Sequence, residues 1–82
     1  MKHADHRARM PLSILPSGSS AIVDVLDEAI DPSQREQLIA YGLAAERSLK
    51  VLQQHPMTIV MIDEVELALE GSVARHVWVR RP

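Results

Sequence analysis

The sequence predicts a mainly β protein with one short helix, folded as a small barrel of about five strands. Three observations carry that expectation. Apolar and polar residues alternate with a period of two in "VELALE" and again in "VWV", which is how a strand with one buried face reads. The strand-like segments are short and separated by brief turns, an arrangement that hides its unpaired edges by closing the sheet on itself. Only residues 31–43 carry helix punctuation at both ends.

Taken in order, the chain opens with "MKHADHRAR", which is polar and unpatterned, so residues 1–10 are expected to form a disordered arm ahead of a domain at 11–82. Met10 offers a second translation start, and the sequence leaves the choice between it and Met1 open. "LPSGSS" is a turn cluster, and the β-branched run "AIVDVL" makes residues 21–26 the first strand. Its acidic end leads to a helix over about 32–41. There Asp31 can accept from the free first-turn amides, Pro32 suits the first helical position, and Gln34 stands where a capping-box partner belongs. "REQLIAYGL" contains the stop: Gly42 can take the left-handed conformation after the last turn, and Leu43 is then placed to pack on Leu38. Downstream, "SLKVLQ" sets Leu49 and Val51 on one face and Lys50 on the other, while "TIVMID" is a nearly continuous apolar run just after Pro56. In "VELALE" Val65, Leu67 and Leu69 face in. "EGSVAR" then makes a tight turn into the last strand, where Val77 and Val79 face in.

A length of 82 residues allows one domain with a single core, in which each buried Val, Ile or Leu contributes about 1.5–3 kcal/mol. Aromatic residues are only 2% and Phe is absent, so that core must be aliphatic. The absence of Cys excludes disulfides, thiolate metal sites and cysteine nucleophiles, and suits a reducing compartment, with the cytoplasm as the default. No apolar run approaches the ~20 residues that span a bilayer, and "PLSILP" is too short to be the core of a signal peptide. Charge is uneven. Residues 1–9 carry +2 and residues 75–82 carry +3, whereas residues 10–74 set three cations against ten carboxylates for -7. A body of that sign repels phosphate, which argues against nucleic acid as a partner.

The chemistry-bearing residues are few. Four His, at 3, 6, 55 and 76, with no Cys and no nucleophile or phosphate motif, make an enzyme unexpected, and no cofactor is expected. Asp24, Asp27 and Glu28 could offer hard oxygen ligands to a divalent cation. Against that, the neighbouring Asp31 has a helix to cap, and Asp27 with Glu28 suit a solvent-facing connection. His3 stands third from the amino terminus, where amine, amides and imidazole can chelate copper(II) or nickel(II), with His6 nearby. His55 and His76 flank strands and read as surface or hydrogen-bonded structural residues. Alternation leaves the single Trp, Trp78, on the outer face among Arg75, His76, Arg80 and Arg81, either as a contact surface, whose composition this is, or as a side chain covered by a helix or by the chain's own end.

Several segments in this order resemble the FeoA family of bacterial ferrous iron transport: "LSILPSGSSAIV", the spacing of Leu38, Gly42 and Leu43, "LKVLQQHP" and "LALEGSVARHVWV", together spanning about residues 12–79. The resemblance implies an SH3-like barrel, a cytoplasmic location, and an accessory role exercised by contact with the membrane transporter FeoB. On that reading Trp78 with Arg75 and Arg80, and the corner formed by Gly42, Leu43 and Glu46, are the candidate contact residues. Alternatives are an SH3-like regulatory module acting on a transcription factor or another protein, and direct binding of a divalent metal. A polyproline reader is excluded, since only Tyr41 and Trp78 could line its groove. Family members commonly have a second glycine a few residues after "GL"; this chain has "AAER", so Glu46 or a neighbour must turn without glycine's freedom. The hairpin at Asp63 and Glu64 likewise lacks one.

Overall fold

The computed structural model describes residues 9–82. Five of six antiparallel strands form where the sequence expects them, and β1 is added ahead of them: β1 (Met10–Pro11), β2 (Ser20–Leu26), β3 (Ser48–Gln53), β4 (Thr58–Ile62), β5 (Val65–Leu69) and β6 (Val77–Arg80), with one nine-residue helix, α1 (Pro32–Ala40). They make a single sheet in the order β1-β6-β2-β3-β4-β5. The class is as expected, but the ladder is not closed, and β1 and β5 are its edges. Short helical segments stand where a closing pair of strands would be. A 3-10 turn at Leu12–Ile14 follows β1, a helical turn at Gly71–Ala74 follows β5, and these two touch each other. The helical turn replaces the tight turn expected at "EGSVAR". The amides of Val73 and Ala74 both donate to the Glu70 carbonyl at 2.9 Å, and the turn buries both side chains, which an exposed reversal would have left in water.

Ordered chain begins before residue 11. Met10 pairs with Val79 and Pro11 with Trp78, while Arg9 reaches Asp24, so the arm expected over residues 1–10 loses its last two residues to the fold. The rest of it lies outside the described residues.

Two bulges correct the phase of the sheet. In β2, Ala21 and Val23 are buried, and an extra residue, Asp24, then shifts the register so that Leu26 turns inward in its place. In β3, Leu52 is the extra residue opposite β4. Inserting one residue bends the strand and swaps the face of everything after it, which is how one short sheet wraps its own core.

The helix is punctuated as the sequence expects, with one difference. Asp31 Oδ2 accepts from the amides of Ser33 at 3.1 Å and Gln34 at 3.3 Å and from the Ser33 hydroxyl at 2.6 Å, while the reciprocal capping-box bond, in which the Gln34 side chain would accept the Asp31 amide, is not among the hydrogen bonds of the described residues. Gly42 has φ +109°. The Leu43 amide donates to Leu38 O at 2.9 Å and the Gly42 amide to Ile39 O at 3.0 Å, the paired bonds of a glycine-capped helix end. Leu43 is thereby driven fully inside, in the same core as Leu38. Glu46 makes the next turn at φ +72° without glycine's help, and Asp63 takes φ +56° as the first residue of the two-residue β4–β5 turn.

One long-range polar tie escapes sequence reading. Gln54 Nε2 donates to the carbonyls of Leu12 at 3.0 Å and Leu15 at 2.6 Å, and its Oε1 accepts from the hydroxyl of buried Thr58 at 2.7 Å. The amide thus pins the 3-10 turn to the β3–β4 connection and satisfies the one buried polar residue among those described.

Two substitutions test the corner. Gly42→Ala forces an L residue to positive φ and sets its Cβ 3.2 Å from Ile62 Cγ2; urea denaturation is expected to show a loss of about 1–3 kcal/mol. Leu43→Ala, which empties a fully buried site, is expected to cost about 2–5 kcal/mol in the same measurement.

Candidate protein-interaction surface

The period of two in β6 turns Val77 and Val79 into the core and leaves Trp78 and Arg80 on the outer face. Across the sheet Trp78 stands between Pro11 of β1 and Val25 of β2, so three apolar groups form one row. Val25 is 42% exposed. Trp78 is only partly buried, and its indole Nε1 donates to Oδ2 of Asp27, in the connection leading to α1, at 3.2 Å. The other oxygen of Asp27 accepts the Ala29 amide at 2.9 Å, while His76 Nδ1 lies 3.9 Å from the first. The Ala29 amide above all, and then the Trp78 indole, hold the Asp27 carboxyl below its ordinary range by stabilising the anion. Asp31 is likewise lowered, first by the Ser33 hydroxyl and then by the Gln34 amide.

Beside this row runs a string of alternating charges. Arg9 meets Asp24 at 2.6 Å, Asp24 meets Arg80 at 3.4 Å, and Arg80 reaches Glu46 at 2.7 Å. Arg47 pairs with Asp63 further along. Exposed pairs contribute only about 0–1 kcal/mol each, but here they string together through the part-buried Asp24–Arg80 pair, which holds the guanidinium groups in set positions.

The predicted residues therefore divide. Trp78, Arg80 and Glu46 come together on one face. Arg75 is exposed at the end of the Gly71–Ala74 turn. Gly42 packs against Ile62 and Leu43 is wholly internal, so what that corner offers to solvent is Glu46 and its neighbours. Asp24 is held between two arginines and Asp27 is bonded to Trp78 and Ala29, while Glu28 is exposed between Asp27 and the helix. Among the described residues no three His, Asp or Glu side chains are grouped to hold a metal ion. His3 and His6 lie outside the described residues.

A second feature had no forerunner in the sequence. Between α1 and the free edge of β5 lies a groove of about 380 Å³, lined by Gln34, Gln37, Leu38 and Tyr41 on one side and by residues 67–70 on the other, with Met57 and Val73 also in its wall. Alternation marks Ala68 as an outer-face residue, but only the sheet order shows that its strand is an edge.

These features define a small SH3-like β domain whose polar and aromatic groups lie on its surface. The chain belongs to the FeoA family, associated with ferrous iron transport: the FeoA domain model matches residues 10–81. The family is one of small accessory proteins and is not a known enzyme family. The crystal structure of an iron uptake regulatory protein (FeoA) is 30% identical, covering 88% of this chain and 94% of that one with a TM-score of 0.74. FeoA of Stenotrophomonas maltophilia, solved in complex with zinc and described as an SH3 domain protein, is 27% identical over 85% of this chain and 88% of that one, with a TM-score of 0.73. A manganese-dependent transcriptional repressor shares the fold at a TM-score of 0.81 and 22% identity, over 90% of this chain but only 37% of its own. Among curated proteins none matches this chain in sequence. No helix among the described residues is long and apolar enough to cross a membrane.

The lowered carboxyl of Asp27 gives a signed expectation. A carboxyl whose folded pKa is depressed adds stability above its unfolded pKa, roughly pH 4, and that stability is lost as pH falls through the lower folded value. Acid titration followed by the emission of the single Trp should therefore show a transition below pH 4 that is absent in Asp27→Asn.

Proposed function

We propose that this chain is a small cytoplasmic accessory protein of ferrous iron uptake that acts by contact with the cytoplasmic portion of the FeoB membrane transporter, without catalysis of its own. Membership of the FeoA family over residues 10–81 is the observation that carries the reading. The outer face supports it. Pro11, Trp78 and Val25 form an apolar row beside arginines held in place by Asp24 and Glu46, and aromatic and Arg side chains are the usual sources of binding energy at protein contacts. Arg75, exposed at the end of the turn that precedes β6, is a further candidate contact residue.

Contact is favoured over resident metal binding by what the carboxylates do. Asp24 and Asp27 already satisfy cations and hydrogen-bond donors of the fold, so recruiting them to a metal would break those bonds. Likeness to the repressors supports the shared fold, and the acidic body, with no recognition helix among the described residues, speaks against a DNA-binding use.

Pull-down with the purified cytoplasmic portion of the transporter tests the reading. Trp78→Ala and Val25→Glu are each expected to weaken capture by about tenfold while the protein still unfolds cooperatively. Capture that is absent in the unaltered chain, or unchanged in both variants, would overturn it.

A further inference from the structure

The two edges of the sheet are not alike. β1 is two residues long and contains Pro11, which has no N–H to offer, so that edge is blunted. β5 is five residues long, has no proline, and pairs with β4 alone. Because its two-residue turn makes Ile62 and Val65 a hydrogen-bonded pair, alternation turns the N–H and C=O of Glu66 and Ala68 toward the open edge. No hydrogen bond outside the ladder reaches residues 65–69 among those described. Next to this edge lies the groove under α1, about 380 Å³, within the size range of ligand sites.

We propose that the β5 edge is a docking site for an extended segment of another protein in which Lys or Arg alternates with aliphatic residues. Such a segment adds a seventh strand, its main chain bonding to Glu66 and Ala68. Neighbouring strands share faces. Every second side chain therefore continues the face of Leu67 and Leu69 into the groove beside Leu38 and Tyr41, where an aliphatic group fits. The intervening side chains stand beside Glu66 and Glu70 on the outer face, where cations are complementary and carboxylates are repelled.

The same charges disfavour a second copy of this chain. An antiparallel pair of β5 strands centred on Ala68 would set Glu66 of each copy opposite Glu70 of the other. The site lies at the far edge of the sheet from Trp78, with β2, β3 and β4 between, and holds whether or not the transporter contacts the Trp78 face.

The test uses the full chain, labelled with 15N, and an acetylated, amidated heptapeptide alternating lysine with valine. Saturable shifts are expected at residues 65–70 and along α1, with slowed exchange of the Glu66 and Ala68 amides. Ala68→Pro removes the edge donor without touching the β4 ladder and is expected to weaken binding by about tenfold or more. Glu66→Lys with Glu70→Lys, a surface change, is expected to do the same and carries the test if the proline variant does not fold. The proposal is overturned by shifts centred elsewhere, by equal binding of the peptide with glutamate for lysine, by unaltered binding to the double variant, or by concentration-dependent shifts at residues 65–70 without peptide, which would mean a second copy. Transporter capture is read separately, so its failure leaves this result intact and the reverse also holds.

Discussion

The whole arrangement depends on closing an aliphatic core without large aromatic fillers. All 18 buried hydrophobic residues among those described are Leu, Ile, Val or Ala. At about 1.5–3 kcal/mol for each fully buried Leu, Ile or Val, a domain this small has few it can lose. That constraint explains features that look unrelated. The helical turn at Gly71–Ala74 exists because it brings Val73 and Ala74 inside, and the glycine at the end of α1 exists because it aims Leu43 inward. Both bulges serve the same end, since a six-stranded sheet of short strands can enclose a core only by bending. With the interior filled by aliphatics, the one Trp and the paired charges are left outside, and binding must be a property of the surface.

How much of this was legible follows from the range of each interaction. Asp31, Pro32, Gly42 and Leu43 act within a few residues of themselves, so the sequence shows the limits of α1 and the direction of its exit. Alternation in β5 and β6 is equally local, although Val65, expected to face in with Leu67 and Leu69, lies at the hairpin end of β5 and stays 42% exposed. Two turns were expected to form without glycine, one at Glu46 or a neighbour and one at Asp63 and Glu64, and it is Glu46 and Asp63 that take positive φ. By contrast, β1 is defined by partners near the other end of the chain, and Gln54 by carbonyls about forty residues earlier. Nothing local marks such residues. The bulge at Asp24 is hidden for a related reason, because a polar residue among β-branched ones reads as an ordinary outward position until the register on both sides is known.

The candidate surface was half legible. Period two correctly turned Trp78 and Arg80 outward, but it could not say that Asp27, from the connection leading to α1, would take the indole N–H. Nor could it say that Asp24 and Glu46, from different elements, would share Arg80. Pairing changes what these residues are. A free cluster of Asp24, Asp27 and Glu28 would be a set of hard oxygen ligands; once two of the three are engaged with Arg, Trp and a backbone amide, they act as positioning groups for the outer face.

Unequal edges follow from the same economy of length. A sheet that closed by hydrogen bonds would need a strand longer than β1 to reach β5, and the residues available there are instead spent on the Leu12–Ile14 turn, which brings Leu12 and, just after it, Leu15 into the core. The gap is bridged by side chains and helical turns, so β5 keeps main-chain donors and acceptors that no element of the described chain takes up. Natural sheets blunt such edges with charge, and here Glu66 of β5 and Glu70 just after it supply that charge. Negative charge, however, discourages only partners of like sign. An edge guarded by carboxylates alone disfavours copies of itself while remaining open to a basic strand, so the charges that oppose self-pairing also select what can pair with it.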